Sequence, residues 1–463
     1  MNAMLKRYIG DRAFYRSALH IAIPTLIQSI ITQSVGLLDN IMVGRIGTMP
    51  MSGVTIANQL FTLFTVSVFG AVSAAGIFTA QFHGAKDHEG VRNTFRYKLF
   101  LSVGIAMLFI LGFYVFSDPL LNWFLKGEGS AEDAAEILAY GKQYLRIMLV
   151  GLIPYSLTNT YCSTLRETGH PTVPMISSTV AMGANLVLNY VLIFGRLGLP
   201  AMGSAGAAWA TVISRFVELS VVAIWAHSHH RDIPFVQGLY RSFHIPKKLF
   251  GTITTTGIPL LMNESIYSVA MVLVSQMLST ISLTMMPAVN ISNTIYHFAY
   301  VAASSAGSPV YIIMGAMMGR GASEEEIKDC NRKLKFLAFC GGLITAAILL
   351  AAAPVFPKLY NTTDEIRHMA SWFILLSALP VPFEAYSVAI YATLRSGGRT
   401  FITFLFDCGS MWLFNVPLAF LFTQILTLPP ILVFAGCRLY FYLRAIFGTV
   451  ILHRVRWINR LTN

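Results

Sequence analysis

Charge is scarce in this chain. Asp, Glu, Lys and Arg supply 12% of its 463 residues, against about a quarter in an ordinary soluble domain. A soluble fold of this length needs a polar surface that such a composition cannot cover. Cysteine is scarce as well: Cys162, Cys330, Cys340, Cys408 and Cys437 are odd in number, and none forms a CxxC or another metal-ligand spacing. They are expected as small core residues. HExxH, GxSxG and paired histidines within a span are all missing, which leaves an intramembrane hydrolase or acyltransferase without its nucleophile–base or metal cluster. Neither an enzyme activity nor a cofactor is expected. A cleavable leader is not expected either. The first sixteen residues are polar and basic, and the apolar run after them is long and lacks an A-x-A site.

What the chain does have is apolar length. Hydrophobic residues reach 55% and the mean hydropathy is +0.62. A membrane-crossing helix takes about 20 mostly apolar residues. Such spans are predicted near 17–41, 51–81, 97–117, 138–164, 173–195, 204–226, 251–280, 285–315, 334–354, 368–394, 401–423 and 429–452. The runs are apolar all round rather than alternating, which excludes a closed barrel. The predicted class is an all-α integral membrane protein of twelve spans.

The net charge of +12 does not point to a nucleic-acid partner, because the basic residues form neither a patch nor a tail. They cluster in alternate loops. One side carries Arg12 and Arg16, Lys86 through Lys98, Arg231 through Lys248, Arg320 through Lys335, Arg395 with Arg399, and Arg454 through Arg460. The other carries little beyond Arg45, Arg196, Lys358 and Arg367. The positive-inside rule puts the first side, with both termini, in the cytoplasm.

The second half repeats the first. Pro24 aligns with Pro259, Asn58 with Asn293 and Gly84 with Gly319 at an offset of 235, and LRETGHPT matches LRSGGRT at an offset of 229. Anchors in one order are the mark of an internal duplication. Six spans per half insert both halves the same way up, which predicts a pseudo-two-fold axis along the membrane normal. The expected organisation is a first bundle over 1–226, a cytoplasmic linker over 227–250 and a second bundle over 251–463.

An ionisable residue at the bilayer centre costs about 2.5–3.5 kcal/mol on insertion scales, so each one calls for an explanation. Four acids stand out: Asp39, Glu264, Glu384 and Asp407. Asp39 follows Pro24 by fifteen residues on a helix that proline can bend, a sensible place to couple ion binding to motion. Asn185 and Asn189, four apart, share one helix face. Two amides there can coordinate a cation or hold a carboxylate. Glu264, Glu384 and Asp407 together predict an acidic lumen in the second half, suited to cationic ligands. His297 is expected as a packed core histidine, and Arg215 with Glu218 as a structural pair.

These residues lie in segments that resemble the multidrug and toxic compound extrusion (MATE) family of bacterial type. The resemblance is carried by IAIPTLIQSIITQSVGLLDNIMVGRIG, the stretch from LRETGHPT to NLVLNYVLIFG, GSAGAAWAT, and LRSGGRT running into DCGSMWLFNVPLAF. It covers nearly the whole chain in order. It implies two six-helix bundles around a cleft, and export of organic, often cationic, compounds driven by inward H+ or Na+. Small-molecule substrates and membrane lipid are then the partners, a monomer in the bacterial inner membrane is expected, and a lipid-linked oligosaccharide flippase of related fold is the alternative. Carried over by position, Asp39, Asn185, Asn189 and Thr211 match the family's cation site, with Na+ binding possible at Asp39. Pro24 matches its bending proline, and Glu264 resembles its helix-seven acid. One departure shifts weight to Asp39: after the Gly-Gly of LRSGGRT many members carry an acid, and here Arg399 stands. Asp39 also has no acidic counterpart in the second half, where Val274 aligns with it.

Overall fold

A computed structural model describes residues 7–125, 131–281, 285–426 and 428–461. Among them all regular structure is helical. In chain order the helices are α1 (Arg12–Gly44), α2 (Thr48–Gly84), α3 (His88–Leu125), α4 (Ala131–Val150), α5 (Leu152–Glu167), α6 (Thr172–Phe194), α7 (Gly203–Ser228) and α8 (Lys247–Ser279). They continue with α9 (Met285–Ser305), α10 (Gly307–Gly319), α11 (Glu324–Ala352), α12 (Asp364–Ala378), α13 (Val381–Ser396), α14 (Thr400–Ser410), α15 (Val416–Phe420) and α16 (Pro430–Arg454).

Among the described residues ten helical stretches are long and apolar enough to cross a membrane on their own; α9 with α10, and α14 through α15, each count once. The pair α12 and α13, bent by 44°, makes an eleventh. The pair α4 and α5 completes the twelve. It is less apolar because Glu132, Asp133, Glu136 and Lys142 fall on α4 and a run of Thr, Ser and Asn on α5. These two interrupted spans are repeat mates. The first breaks at Gly151 and the second at Pro380, the same offset of 229 that relates LRETGHPT to LRSGGRT. Pro380 cannot donate a backbone hydrogen bond, which explains its break.

Helix boundaries follow ordinary capping chemistry. Ser323 and Thr363 accept from the backbone N–H groups of Glu326 and Ile366, ahead of first turns rich in Glu and Asp. Gly195 ends α6 in the left-handed region at φ 66°, where a side chain would be strained. Large apolar side chains such as Leu108, Ile224, Val272, Ile344 and Leu413 are well over half exposed. A surface of that kind is stable against lipid rather than water.

The chain divides into two compact units. One comprises residues 27–79 and 87–251, the other residues 1–26, 80–86 and 252–463. Compared with a division at 226 and 251, α1 changes unit just after Pro24 and α2 near its C-terminal end. In the first unit Leu60, Phe64, Phe113, Leu145 and Leu152 pack into one core. In the second, Phe373, Met411, Phe434 and Tyr440 anchor one cluster and Val310, Met314 and Phe406 another.

Residues 227–250, expected as a plain linker, are docked on the first unit. Arg96 donates to the Leu239 carbonyl at 3.0 Å, Arg92 to the Gln237 carbonyl at 3.0 Å, and the Tyr161 and Tyr240 hydroxyls meet at 2.5 Å. Two of the basic residues expected in a cytoplasmic loop are therefore corrected. Arg96 is buried under this segment, and Lys98 is fully buried inside α3, ion-paired to Glu167 at 2.5 Å with Ser163 and Thr164 also accepting. Gly76 makes room for that pair, since a Cβ there would overlap the Glu167 carboxylate. The C-terminal segment docks on the second unit in a similar way. Gln81 donates to the carbonyls of Ser396 and Asn459 and accepts from the Leu461 amide at 2.8 Å.

Candidate functional site

The first unit brings Asp39, Asn185, Asn189 and Thr211 into one cluster from three helices. Asp39 lies on α1, the two asparagines on α6 and Thr211 on α7. Asn189 Nδ2 donates to Asp39 Oδ1 at 2.5 Å and to Asn185 Oδ1 at 3.0 Å. Thr211 Oγ1 sits 3.4 Å from Asp39 Oδ2, and Asn185 Nδ2 reaches Thr211 Oγ1 at 3.4 Å. The four-residue spacing of the asparagines stacks them on one face of α6, as sequence spacing requires. Close packing of α6 on α7 holds the geometry: a Cβ at Gly206 would collide with the Leu192 carbonyl.

The company Asp39 keeps is neutral. It takes an amide and a hydroxyl, and no ion pair to it is formed among the described residues. Arg215 is within electrostatic reach, but its guanidinium is spent on the Gly151 carbonyl at 3.4 Å and on the Tyr155 ring, 5.0 Å from its centroid. Asn189 and Asn185 are buried, and Asn189 Oδ1 has no hydrogen-bond partner. A buried amide oxygen without a donor costs free energy. The cluster thus gathers a carboxylate, two amides and a hydroxyl from three helices, with the Asn189 amide nitrogen facing the Asp39 and Asn185 oxygens.

The acids of the second unit are held differently. Asp407 Oδ1 is ion-paired with Arg444, and Asp407 Oδ2 accepts from Asn263 Nδ2 at 2.8 Å. Glu384 accepts from the Tyr296 hydroxyl at 2.7 Å. Arg438 lies 4.8 Å from the Tyr296 ring centroid and 4.5 Å from that of Phe434. Among the described residues nothing hydrogen-bonds the Glu264 side chain, which is half-buried on α8. The acids expected to line an acidic lumen thus have guanidinium groups beside them. Arg438 and Arg444 fall inside the last span, and the test that found the acids, a charge within an apolar run, finds these two as well.

Two smaller expectations change. Arg215 and Glu218 do not close on each other, because Arg215 turns to α5 and Glu218 accepts from Ser178 on α6 at 2.6 Å. Their three-residue spacing is compatible with pairing, but both find partners on neighbouring helices. His297 is exposed rather than packed in a core, with its ring stacked on Tyr300 at 6.3 Å. Pro24 lies inside α1 and Pro259 inside α8, and each helix runs on through its proline, 33 residues long in either case.

Comparison with known proteins adds to this geometry. The MatE family profile matches residues 24–191 and 259–421, one match per half. The chain is 26% identical over 416 residues to the probable multidrug resistance protein NorM of Halalkalibacterium halodurans, covering 89% of this chain and 88% of that one. To the multidrug resistance protein PmpM of Pseudomonas aeruginosa it is 23% identical over 428 residues, covering 90% and 85%. Its fold is similar to a crystal structure of MATE in the bent conformation, with TM-score 0.84 at 20% identity over 99% of this chain and 98% of the other. An outward-facing multidrug resistance MATE family transporter of the MOP superfamily gives 0.82 over the same shares, again at 20% identity. With both halves matched and twelve spans in place, the chain belongs to the MatE family of multidrug efflux transporters.

Proposed function

We propose that the protein is an antiporter that exports organic cations across the bacterial inner membrane in exchange for H+ or Na+, with both termini in the cytoplasm. The observation that carries this reading is the setting of Asp39. Its carboxylate is half-buried among neutral donors, beside a buried amide oxygen that lacks a partner. Such a site keeps a negative charge that a mobile cation can meet. Asn185, Asn189 and Thr211 supply the remaining polar atoms and hold the carboxylate in place.

Coupling requires that ion and substrate favour different states of the carrier. In this reading an ion entering from outside binds at Asp39, favours a bent α1, and substrate leaves outward. Pro24 supplies the bend, since it removes a backbone hydrogen bond from α1. Residues 1–226 and 251–463 act as the two halves, joined through 227–250, and a monomer suffices. In the second half Glu264 is the acid without a hydrogen-bonding partner among the described residues, and it offers a negative charge to the substrate. Glu384 and Asp407 shape that surface from behind Tyr296 and Arg444.

The test is efflux of a fluorescent organic cation from everted vesicles under separate pH and Na+ gradients. Wild-type protein should respond to one of them, and Asp39→Asn should not while remaining folded. Unimpaired gradient-driven efflux by that variant would sink the assignment.

A further inference from the structure

The internal repeat relates more than prolines and loops. Gln28, four residues after Pro24, aligns at the offset of 235 with Asn263, four residues after Pro259. Ser178 on α6 aligns at the offset of 229 with Asp407 on α14. Glu218 on α7 and Arg444 on α16 occupy equivalent turns of the sixth helix of each half, fifteen and fourteen residues from the helix starts at Gly203 and Pro430.

The side chains at these equivalent positions touch one another in both units. In the first, Gln28 Nε2 donates to Ser178 Oγ at 3.1 Å, Ser178 donates to Glu218 at 2.6 Å, and Arg166 donates to Gln28 Oε1 at 3.0 Å. In the second, Asn263 Nδ2 donates to Asp407 Oδ2 at 2.8 Å, and Arg444 pairs with Asp407 Oδ1. Each chain of bonds runs from the first helix of its half to the fifth and on to the sixth. Each begins with an amide one turn past a proline. The chemistry has diverged: the acid stands on the sixth helix of the first half and on the fifth helix of the second. The connection has not.

We propose that these two chains of side chains are repeat-related latches, and that Gln28 and Asn263 are positioning residues that fix α1 and α8 just beyond their prolines. A proline leaves the turn before it one hydrogen bond short, so the helix is soft there. An amide pinned one turn later to two neighbouring helices holds the following arm in place. A single hydrogen bond between spans is weak, weak enough to release during a transport cycle. The second latch is the firmer, since its link is an ion pair and the residues are buried: Asn263 is 2% exposed and Arg444 7%. Gln28 in the first is half-buried. The first helix that carries Asp39 is therefore the one with the lighter latch. This assignment of positions stands on the hydrogen bonds alone. Its meaning for transport rests on the antiport reading above.

Hydrogen exchange on the full chain in detergent tests the latch without any transport assay, because exchange reports local opening. Gln28→Ala should raise exchange roughly threefold, the scale of one lost hydrogen bond between spans, over the part of α1 beyond Pro24. It should leave α4 and the whole second unit unchanged. Asn263→Ala should do the same to α8 alone. Ser178→Ala should reproduce Gln28→Ala, and Ser178→Thr, which keeps the hydroxyl, should restore wild-type exchange. In vesicles Gln28→Ala should change the maximal efflux rate per folded molecule while leaving the substrate KM as it was. The proposal is overturned if exchange in α1 does not move, or if it rises evenly through every helix of the first unit, as a merely structural contact would produce. Should Gln28→Ala give no folded protein, Ser178→Ala carries the same expectation. Loss of ion-driven efflux in the wild type would remove the antiport reading and leave the exchange result standing.

Discussion

Asp39 and Asp407 are both carboxylates within spans, and both accept from an asparagine amide, Asn189 at 2.5 Å and Asn263 at 2.8 Å. In both cases the oxygen of that asparagine is buried and has no partner. What differs is the next contact. Asp39 meets a threonine hydroxyl, whereas Asp407 meets the guanidinium of Arg444. A charge in a low-dielectric setting needs a counter-charge close by. The second unit carries that counter-charge in its own chain. The first unit forms no such ion pair to Asp39 among the described residues. Two sites of similar outline thus differ in whether the chain itself supplies the counter-charge, and in the antiport reading proposed above that difference leaves the first to a mobile ion.

The difference can be attacked through stability. The largest effect is expected for Arg444→Gln, which strands a buried carboxylate and should cost about 3–5 kcal/mol of stability. Adding Asp407→Asn should recover most of that loss, because the pair is then neutral at both ends. Thermal unfolding in detergent reads both. Asp39→Asn should shift the same unfolding curve by less than about 1 kcal/mol, since it removes a charge that no cationic residue balances by direct contact. Equal losses for Arg444→Gln and Asp39→Asn would erase the contrast between the sites.

Ion affinity sharpens it further. Asn189→Ala removes both a donor to Asp39 and the buried oxygen beside it. The ion concentration for half-maximal efflux should rise about tenfold, as for the loss of 1.4 kcal/mol of binding, with the substrate KM unchanged. Asn263→Ala should leave that ion concentration where it was. The smallest effect belongs to a surface pair. Lys328 and Glu324 on α11 are both more than half exposed, so Lys328→Ala should change stability by less than about 0.5 kcal/mol and efflux not at all.

Much of this was legible in the sequence, for physical reasons. Bilayer-length apolar runs and the internal repeat announce the twelve spans, because lipid forces helices of a minimum length. The Asp39 cluster was legible too: a lone acid within a span and two asparagines at helical spacing are costly unless they meet. What stayed hidden were partners chosen by tertiary packing. Nothing in the neighbourhood of Glu384 points to Tyr296 on another helix. The burial of Lys98 was misread because it sits among loop-like basic residues, and only the packing of α3 against Glu167 of α5 reveals it. Arg444 could have been found, since a cation in mid-span is as costly as an anion. The Gln28–Ser178 bond becomes visible only when the repeat is laid over the contacts.

In the antiport reading the mobile ion is bound by Asp39, whereas Asp407 is balanced within the chain by Arg444. Gradient-driven efflux of a fluorescent organic cation, compared between Asp39→Asn and the Asp407→Asn, Arg444→Gln double variant, tests it most directly. The first variant should lose its response to the ion gradient and the double variant should keep it. Retained response in the first, or loss confined to the second at equal amounts of folded protein, would contradict it.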